Sequence, residues 1–390
     1  MTRYQFPEGF FWGAAASGPQ TEGISNKPHR SIWDSWFAEQ PERFYQQIGP
    51  QTVCDTYHQY PQDVALMKRT GFNSFRTSIQ WSRLIDDFET GAPNADAVRF
   101  YHAYLDEMIE NGIEPMINLY HFDMPEYLFN RGGWESREVV EAYAHYARIA
   151  FETFGKEIRY WFTFNEPIVE PEVRYTVGDW YPFVKNYSRA RAVQYNISLA
   201  HALGVREYRR AKAAGFMLDD SRIGLINCFA PPYTKENPSE ADLEALRMTD
   251  GVNIRWWLDL VTKGELPQDV IDTLQTRGVD LPIRPEDKLI LADGVVDWLG
   301  CNYYHPERIQ APAKDTDENG IPNFADPYIW PEAEMNVSRG WEIYPQGLYD
   351  FAMKVRDEYP ELEWFVSENG MGVEREDLKK DENGVIEDDY

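Results

Sequence analysis

Residues Arg159–Val169 read R-Y-W-F-T-F-N-E-P-I-V. Tyr160 to Phe164 alternate aromatic side chains with one threonine, the composition of a buried strand. Asn165 and Glu166 follow, and Pro167 ends the ladder, since it has no N–H to give. A carboxylate brought to the end of an apolar strand and stopped there is either a solvent-facing strand end or a placed functional group. The segments on either side decide between these.

The same plan recurs upstream. A helical pattern over Asp63–Thr70 closes at Gly71 and leads into the strand-like Phe72–Ile79. Asp96–Asn111 places Val98, Tyr101, Leu105, Met108 and Ile109 on one helical stripe, closes at Gly112 and leads into Ile113–His121. Ser136 is positioned to cap a helix with the stripe Val139, Tyr143, Tyr146, Ala147, Ala150 and Phe154, which closes at Gly155 ahead of the opening stretch. The three glycines recur at nearly even intervals, and each is expected to take the left-handed turn that ends a helix. Helix, glycine and apolar strand in alternation imply right-handed βα units and a parallel sheet buried on both faces.

The pattern continues with a helix over Ala190–Ala214, then strands from Arg222, over Asp297–Tyr304 and over Glu363–Gly370. Phe10–Ser17 is the first strand, so seven are counted. A doubly wound open sheet would carry a nucleotide fingerprint after its first strand, and none is present. The α/β class is therefore read as a (β/α)8 TIM barrel with one strand uncounted. In such a barrel the C-terminal strand ends converge on one face. Here those ends carry Arg76, His121, Asn165, Glu166, Asn302 and Glu368.

Composition bounds the partners. The chain has 390 residues, 43% of them hydrophobic and spread along its length, enough for a large core. Its formal charge of −27 argues against nucleic acid and anionic membranes as partners. No stretch approaches the roughly 18 consecutive apolar residues of a membrane span, and the N-terminus lacks a basic segment followed by an apolar one. Cys54, Cys228 and Cys301 form no Cys-x-x-Cys and suit free thiols in a reducing, cytoplasmic setting. The seven histidines show no metal-ligand spacing. Aromatics make up 15% of the residues, with 13 Trp; that excess suits either core or the flat stacking of sugar rings on indoles.

Glu166 and Glu368 each follow an aromatic strand, and a barrel can set them across its mouth. Two carboxylates flanking a bond are what glycoside hydrolysis requires. At about 5–5.5 Å apart they work with retention, one as acid/base and one as nucleophile. The surrounding motifs resemble glycoside hydrolase family 1. Thr163-Phe-Asn-Glu-Pro167 is similar to its acid/base motif and Ser367-Glu-Asn-Gly370 to its nucleophile motif. The resemblance runs from FPEGFFWGAAAS to the last residue, so residues 1–390 are read as a single barrel domain of that family.

The resemblance implies roles residue by residue. Glu166 would be the acid/base and Glu368 the nucleophile. Asn165 would hold the sugar's 2-hydroxyl, Gln20 and His121 its outer hydroxyls. Arg76 would keep the nucleophile ionised. Asn302 and Tyr304 would continue the ring, with Tyr304 donating to Glu368, and Trp341 would stack on the sugar or its leaving group. No metal or organic cofactor is implied. Without the resemblance, Gln20 and His121 read as ordinary buried polar groups, Trp341 as core and His58 as packing, while Glu22 and Glu342 near the mouth have no assigned role. The chain departs from the family at Phe122, where the family carries Trp.

ASGPQTEG and GFNSFRTSIQWSRLIDDFETG look most like bacterial 6-phospho-β-glucosidases. The expected partner is thus a small β-glycoside, 6-phosphorylated, with β-glucosidase or β-galactosidase action on unphosphorylated sugars as the alternative. A non-catalytic sugar-binding relative would lack one of the two glutamates, and both are present. A homo-oligomer is left open. In the family an eighth strand, a C-terminal helix and the branch's phosphate-binding residues follow the position of Tyr390. The chain is accordingly expected to be part of a longer enzyme.

Overall fold

Seven parallel strands form the centre of the protein in a computed structural model that describes residues 5–317, 320–382 and 384–386. In chain order they are β1 (Gly13–Ala15), β2 (Ser74–Ser78), β3 (Glu114–Asn118), β4 (Tyr160–Asn165), β5 (Arg222–Cys228), β6 (Trp298–Asn302) and β7 (Trp364–Glu368). Their order in the sheet is their order in the chain, and every neighbouring pair is parallel. Each of the seven strands read from the sequence is present. β1 and β7 come within 8 Å of one another without a shared ladder, so the sheet is a nearly closed barrel of the (β/α)8 type, with seven parallel strands among the described residues.

The principal outer helices are α1 (Thr56–Thr70), α2 (Ala95–Glu110), α3 (Arg137–Phe154), α4 (Tyr187–Ala213), α5 (Trp256–Lys263) and α6 (Gln346–Glu358). α1 begins seven residues earlier than its apolar pattern suggests and accommodates Pro61 within its second turn. Ser136 occupies the N-cap position of α3, yet its hydroxyl makes no capping bond.

Gly71 and Gly112 take the left-handed backbone expected of them, at φ 90° and 76°. Gly155 does not: its φ is −64°. It is glycine for a different reason. A Cβ there would lie 2.5 Å from Met217 Sδ and from the carbonyl oxygens of Phe151 and Phe216, closer than any side chain tolerates.

The strand alternation sorts side chains into two cores. Phe75, Ile117, Trp161, Ile223, Leu225, Leu299 and Cys301 face outward and pack with the helices. Met116, Phe162, Ile226 and Trp298 face inward and form a separate apolar plug, with Phe11, Tyr160 and Phe365 against it. The register confirms the layering, pairing Phe162 with Gly224, Gly224 with Trp298, and Phe365 with Gly300. One layer above the plug, the same alternation places Asn118, Cys228 and Asn302 inside the barrel. Burial on both faces holds for β2 to β6 only. β1 and β7 pair on one side each, and Val366 is 43% exposed.

The plug supports the layer above it. Phe162→Ala is expected to lower unfolding free energy by about 3–5 kcal/mol, read from denaturant midpoints. A loss under about 1 kcal/mol would mean that the interior layer is loosely packed.

Candidate active site

A guanidinium lies at the centre of the barrel mouth. Arg76, the middle residue of β2, is 3% exposed. Its Nη1 donates to Asn118 Oδ1 and Asn165 Oδ1, each at 3.1 Å, and its Nη2 is ion-paired with Glu368 Oε1. Burial lowers the Arg76 pKa to about 10, against the pull of the Glu166 and Tyr304 charges, so it stays protonated at neutral pH. The second oxygen of Glu368 accepts from the Tyr304 hydroxyl. Burial, then the nearby Glu166 charge, pushes Tyr304 up to about 12, which keeps the hydroxyl a donor.

Asn302, at the end of β6, bridges the two carboxylate neighbourhoods. Its Nδ2 donates to Glu166 Oε1 at 2.8 Å and to Asn165 Oδ1 at 3.2 Å, and its Oδ1 accepts from Ser367 Oγ at 2.7 Å. Two donors on Asn165 Oδ1 fix the orientation of that amide. Its Nδ2 then donates to His121 Nε2 at 3.2 Å. The imidazole proton is therefore on Nδ1. Burial and the Arg76 charge hold the His121 pKa well below its ordinary value, so the ring is neutral.

Glu166 is only partly exposed, and burial raises its pKa; the Asn302 amide, the Arg76 charge and the nearby Cys228 thiol oppose that rise. Its backbone is left-handed, with φ 47°, a strained conformation for a residue with a Cβ. Pro167 ends the ladder only after Glu166 has joined it: the Glu166 N–H donates to Ile226 O at 2.8 Å. What turns the side chain is the left-handed step following a register shift between Phe162 and Asn165. A second register shift, between Val366 and Glu368, precedes the other carboxylate.

The structure thus brings Arg76, His121, Asn165, Glu166, Asn302, Tyr304 and Glu368 into one network. Trp341 stands at its edge, its ring 5.4 Å from that of Tyr304 and 4.4 Å from the Arg339 guanidinium. Gln20 stands apart. It is exposed, not buried, on the short helix Gly18–Thr21, and its Oε1 accepts from Ser17 Oγ at 2.8 Å. Phe122 is buried with φ 65°, and its ring packs on His121 and Trp180. His58 is on the outside, bonded to Asp55.

Four groups received no role in the site from the sequence. Asn118 and Cys228 occupy the last inward positions of β3 and β5, a parity signal available once the register is known. Glu22 proves to be a buried partner of Arg83 Nε at 2.7 Å, with Gln80 and Tyr101 on the same carboxylate, and Arg83 also ties down the carbonyls of Gly23 and Ser25. This pins the loop that presents Gln20. Glu342 grips Arg308 through both oxygens, at 2.9 and 2.7 Å, while Tyr233, Trp330 and Tyr344 surround that guanidinium. The clamp fixes the segment bearing Trp341.

A barrel mouth holding two glutamates on separate strand ends, joined through Arg76, Asn165 and Asn302, has the layout of a carboxylate-pair hydrolase. The model of Glycosyl hydrolase family 1 matches residues 2–390, and the chain belongs to that family. It is 42% identical over 393 residues to the 6-phospho-beta-glucosidase GmuD of Bacillus subtilis, a match covering 100% of this chain and 83% of that one. It is 32% identical to Beta-glucosidase A of Acetivibrio thermocellus over the same shares. A family 1 β-glucosidase structure from Thermotoga maritima superposes with a TM-score of 0.83 at 28% identity, over 97% of this chain and 82% of the other. The protein is a glycosidase. Among the described residues no cluster of metal-ligating side chains is found, and no helix is long and apolar enough to cross a membrane.

Near the mouth, Glu307 follows β6, and its Oε2 accepts from the Asn253 amide at 3.0 Å. Burial, then the Glu172 charge, raises its pKa to about 7. A carboxyl raised on folding contributes its full stability below the unfolded-state value and loses it as pH climbs through the folded value. Glu307→Gln is therefore expected to match the parent near pH 4 and to exceed it by about 2 kcal/mol at pH 8, in denaturant melts at both values. An unchanged difference between the two pH values would refute the buried-carboxyl assignment.

Proposed function

We propose that the protein is a retaining β-glycosidase that hydrolyses 6-phospho-β-D-glucosides, such as phosphorylated cellobiose or aryl glucosides, in the cytoplasm. Glu166 is the acid/base and Glu368 the nucleophile. The observation that carries this reading is the contrast between the two carboxylates. Glu368 is held by a guanidinium and a phenol, both favouring its anion. Glu166 has one amide donor, from Asn302, and a burial that favours its proton. A carboxyl whose burial favours its proton, facing a carboxylate gripped by a cation and a phenol, suits the acid/base and the nucleophile of a double displacement.

In the first step a Glu368 oxygen bonds to the anomeric carbon while the glycosidic C–O bond breaks, and Glu166 delivers its proton to the departing oxygen. In the second, Glu166 takes a proton from water, whose oxygen displaces Glu368 from the same carbon. Asn165 holds the 2-hydroxyl, where its amide, locked by Arg76 and Asn302, tightens on the transition state. His121 and Gln20 take the outer hydroxyls, and Trp341 provides the stacking face. Buried donors at His121 Nδ1, Asn118 Nδ2 and Arg76 Nε have no protein partner among the described residues, and a hydroxyl-rich ligand suits them.

The 6-phosphate rests on the 42% identity to a 6-phospho-beta-glucosidase, against 32% to a β-glucosidase. That second similarity favours the other reading, action on unphosphorylated glucosides. Turnover of p-nitrophenyl β-glucoside and its 6-phosphate separates the two: a higher kcat/KM for the phosphate is expected, and equal or better use of the unphosphorylated compound overturns the choice.

Glu368→Gly should lower kcat about 1000-fold or more, with azide restoring turnover and giving the α-glycosyl azide. Residual turnover near the parent's, without an azide adduct, removes Glu368 as nucleophile.

A further inference from the structure

The ladder between β6 and β7 carries one residue too many. Phe365 pairs with Gly300 and Val366 with Cys301, but the next pair is Glu368 with Asn302, so Ser367 and Glu368 together stand opposite one residue. A bulge of this kind breaks the strict alternation and lets two successive side chains serve one face. Both do so here. Glu368 reaches Arg76, and the Ser367 hydroxyl donates to Asn302 Oδ1 at 2.7 Å. Gly300 makes the room: a Cβ on it would lie 2.7 Å from Ser367 Oγ and 3.0 Å from its Cβ.

The direction of that bond is settled from the far side of the site. Arg76 can only donate, so the Asn165 oxygen faces it. The same oxygen takes a bond from Asn302 Nδ2, which also donates to Glu166 Oε1 at 2.8 Å. Both amide hydrogens of Asn302 are then committed, and its Oδ1 is turned to Ser367. Asn302 is fully buried, and among the described residues that oxygen accepts from no other group.

We propose that Ser367 is a positioning residue for the catalytic acid: its hydroxyl holds the Asn302 amide in the orientation that donates to Glu166, and does so from the strand that carries Glu368. This rests on Glu166 being the acid/base. A buried amide oxygen left without a donor is costly, so loss of the hydroxyl lets the amide turn away from its partners. Glu166 then loses its amide donor, and the burial that favours its proton meets less opposition. The charged and titratable groups around Glu166 are Arg76 on β2, Cys228 on β5, Tyr304 after β6 and Glu368 on β7. Replacing Ser367 alters none of them.

Ser367→Ala removes one oxygen and keeps the extra residue of the bulge. With p-nitrophenyl β-glucoside or its 6-phosphate, whichever is turned over faster, kcat/KM should fall about tenfold. Its basic limb should rise by about half a pH unit, and its acidic limb, set by Glu368, should stay in place. In an Asn302→Ala background the same substitution should change neither kcat/KM nor the basic limb, because the amide it acts through is gone. An unmoved basic limb, a displaced acidic limb, or the same loss in both backgrounds overturns the role. Glu166→Ala is run alongside. A basic limb that survives in it removes the acid/base assignment, and this role with it. A limb lost there but unmoved in Ser367→Ala removes this role alone.

Discussion

Arg76 is the constraint from which the site follows. Its guanidinium is almost fully buried and makes contacts with residues of β3, β4 and β7 from its place on β2. Burying a cation is expensive unless its donors are met. At this position its two terminal nitrogens are met by Asn118, Asn165 and Glu368, three residues that the curvature of the barrel brings together. The charge therefore works in both directions. The barrel's curvature supplies the acceptors, and the cation holds four strand ends at one height. Removing any acceptor leaves a buried charge short of a partner, so the ring of polar residues is a structural unit as well as a chemical one.

Above this ring the peripheral elements are anchored by two further buried or stacked arginines. Arg83 gathers Glu22 and two carbonyls and so shapes the loop after β1. Arg308 sits among three aromatic rings with its Nε–Nη2 edge on both oxygens of Glu342, which adjoins Trp341. In each case an arginine with a bidentate or multiple grip fixes a segment that has little regular structure of its own. The mouth is thus rigid at its floor through Arg76 and at two points of its rim.

The alternation of helix, glycine and apolar strand made the barrel legible, because βα periodicity survives in the hydrophobic pattern. Glu166 and Glu368 were legible from paired motifs. What the pattern could not show was register. The inward parity of Asn118 and Cys228 depends on which residues face each other across strands, and apolar runs buried on both faces leave no alternating trace of it. Gly155 misled for a similar reason: a glycine that ends a helix by a left-handed turn and one that admits a neighbouring chain look alike in sequence. Without the resemblance Gln20 reads as an ordinary buried polar group; it lies instead on an exposed turn, joined to Ser17.

Both carboxylates follow an irregularity in the ladder, between Phe162 and Asn165 on β4 and between Val366 and Glu368 on β7. In a regular strand, consecutive residues point to opposite faces, and the side chain at a given step is set by counting. The two offsets break that count, each just below a glutamate. An idealised barrel scaffold with unbroken ladders could be given the same residues on the same strands. It would still aim at least one glutamate of the pair into the helix layer. Transplanting this chemistry into a designed barrel therefore requires copying two backbone defects along with the side chains.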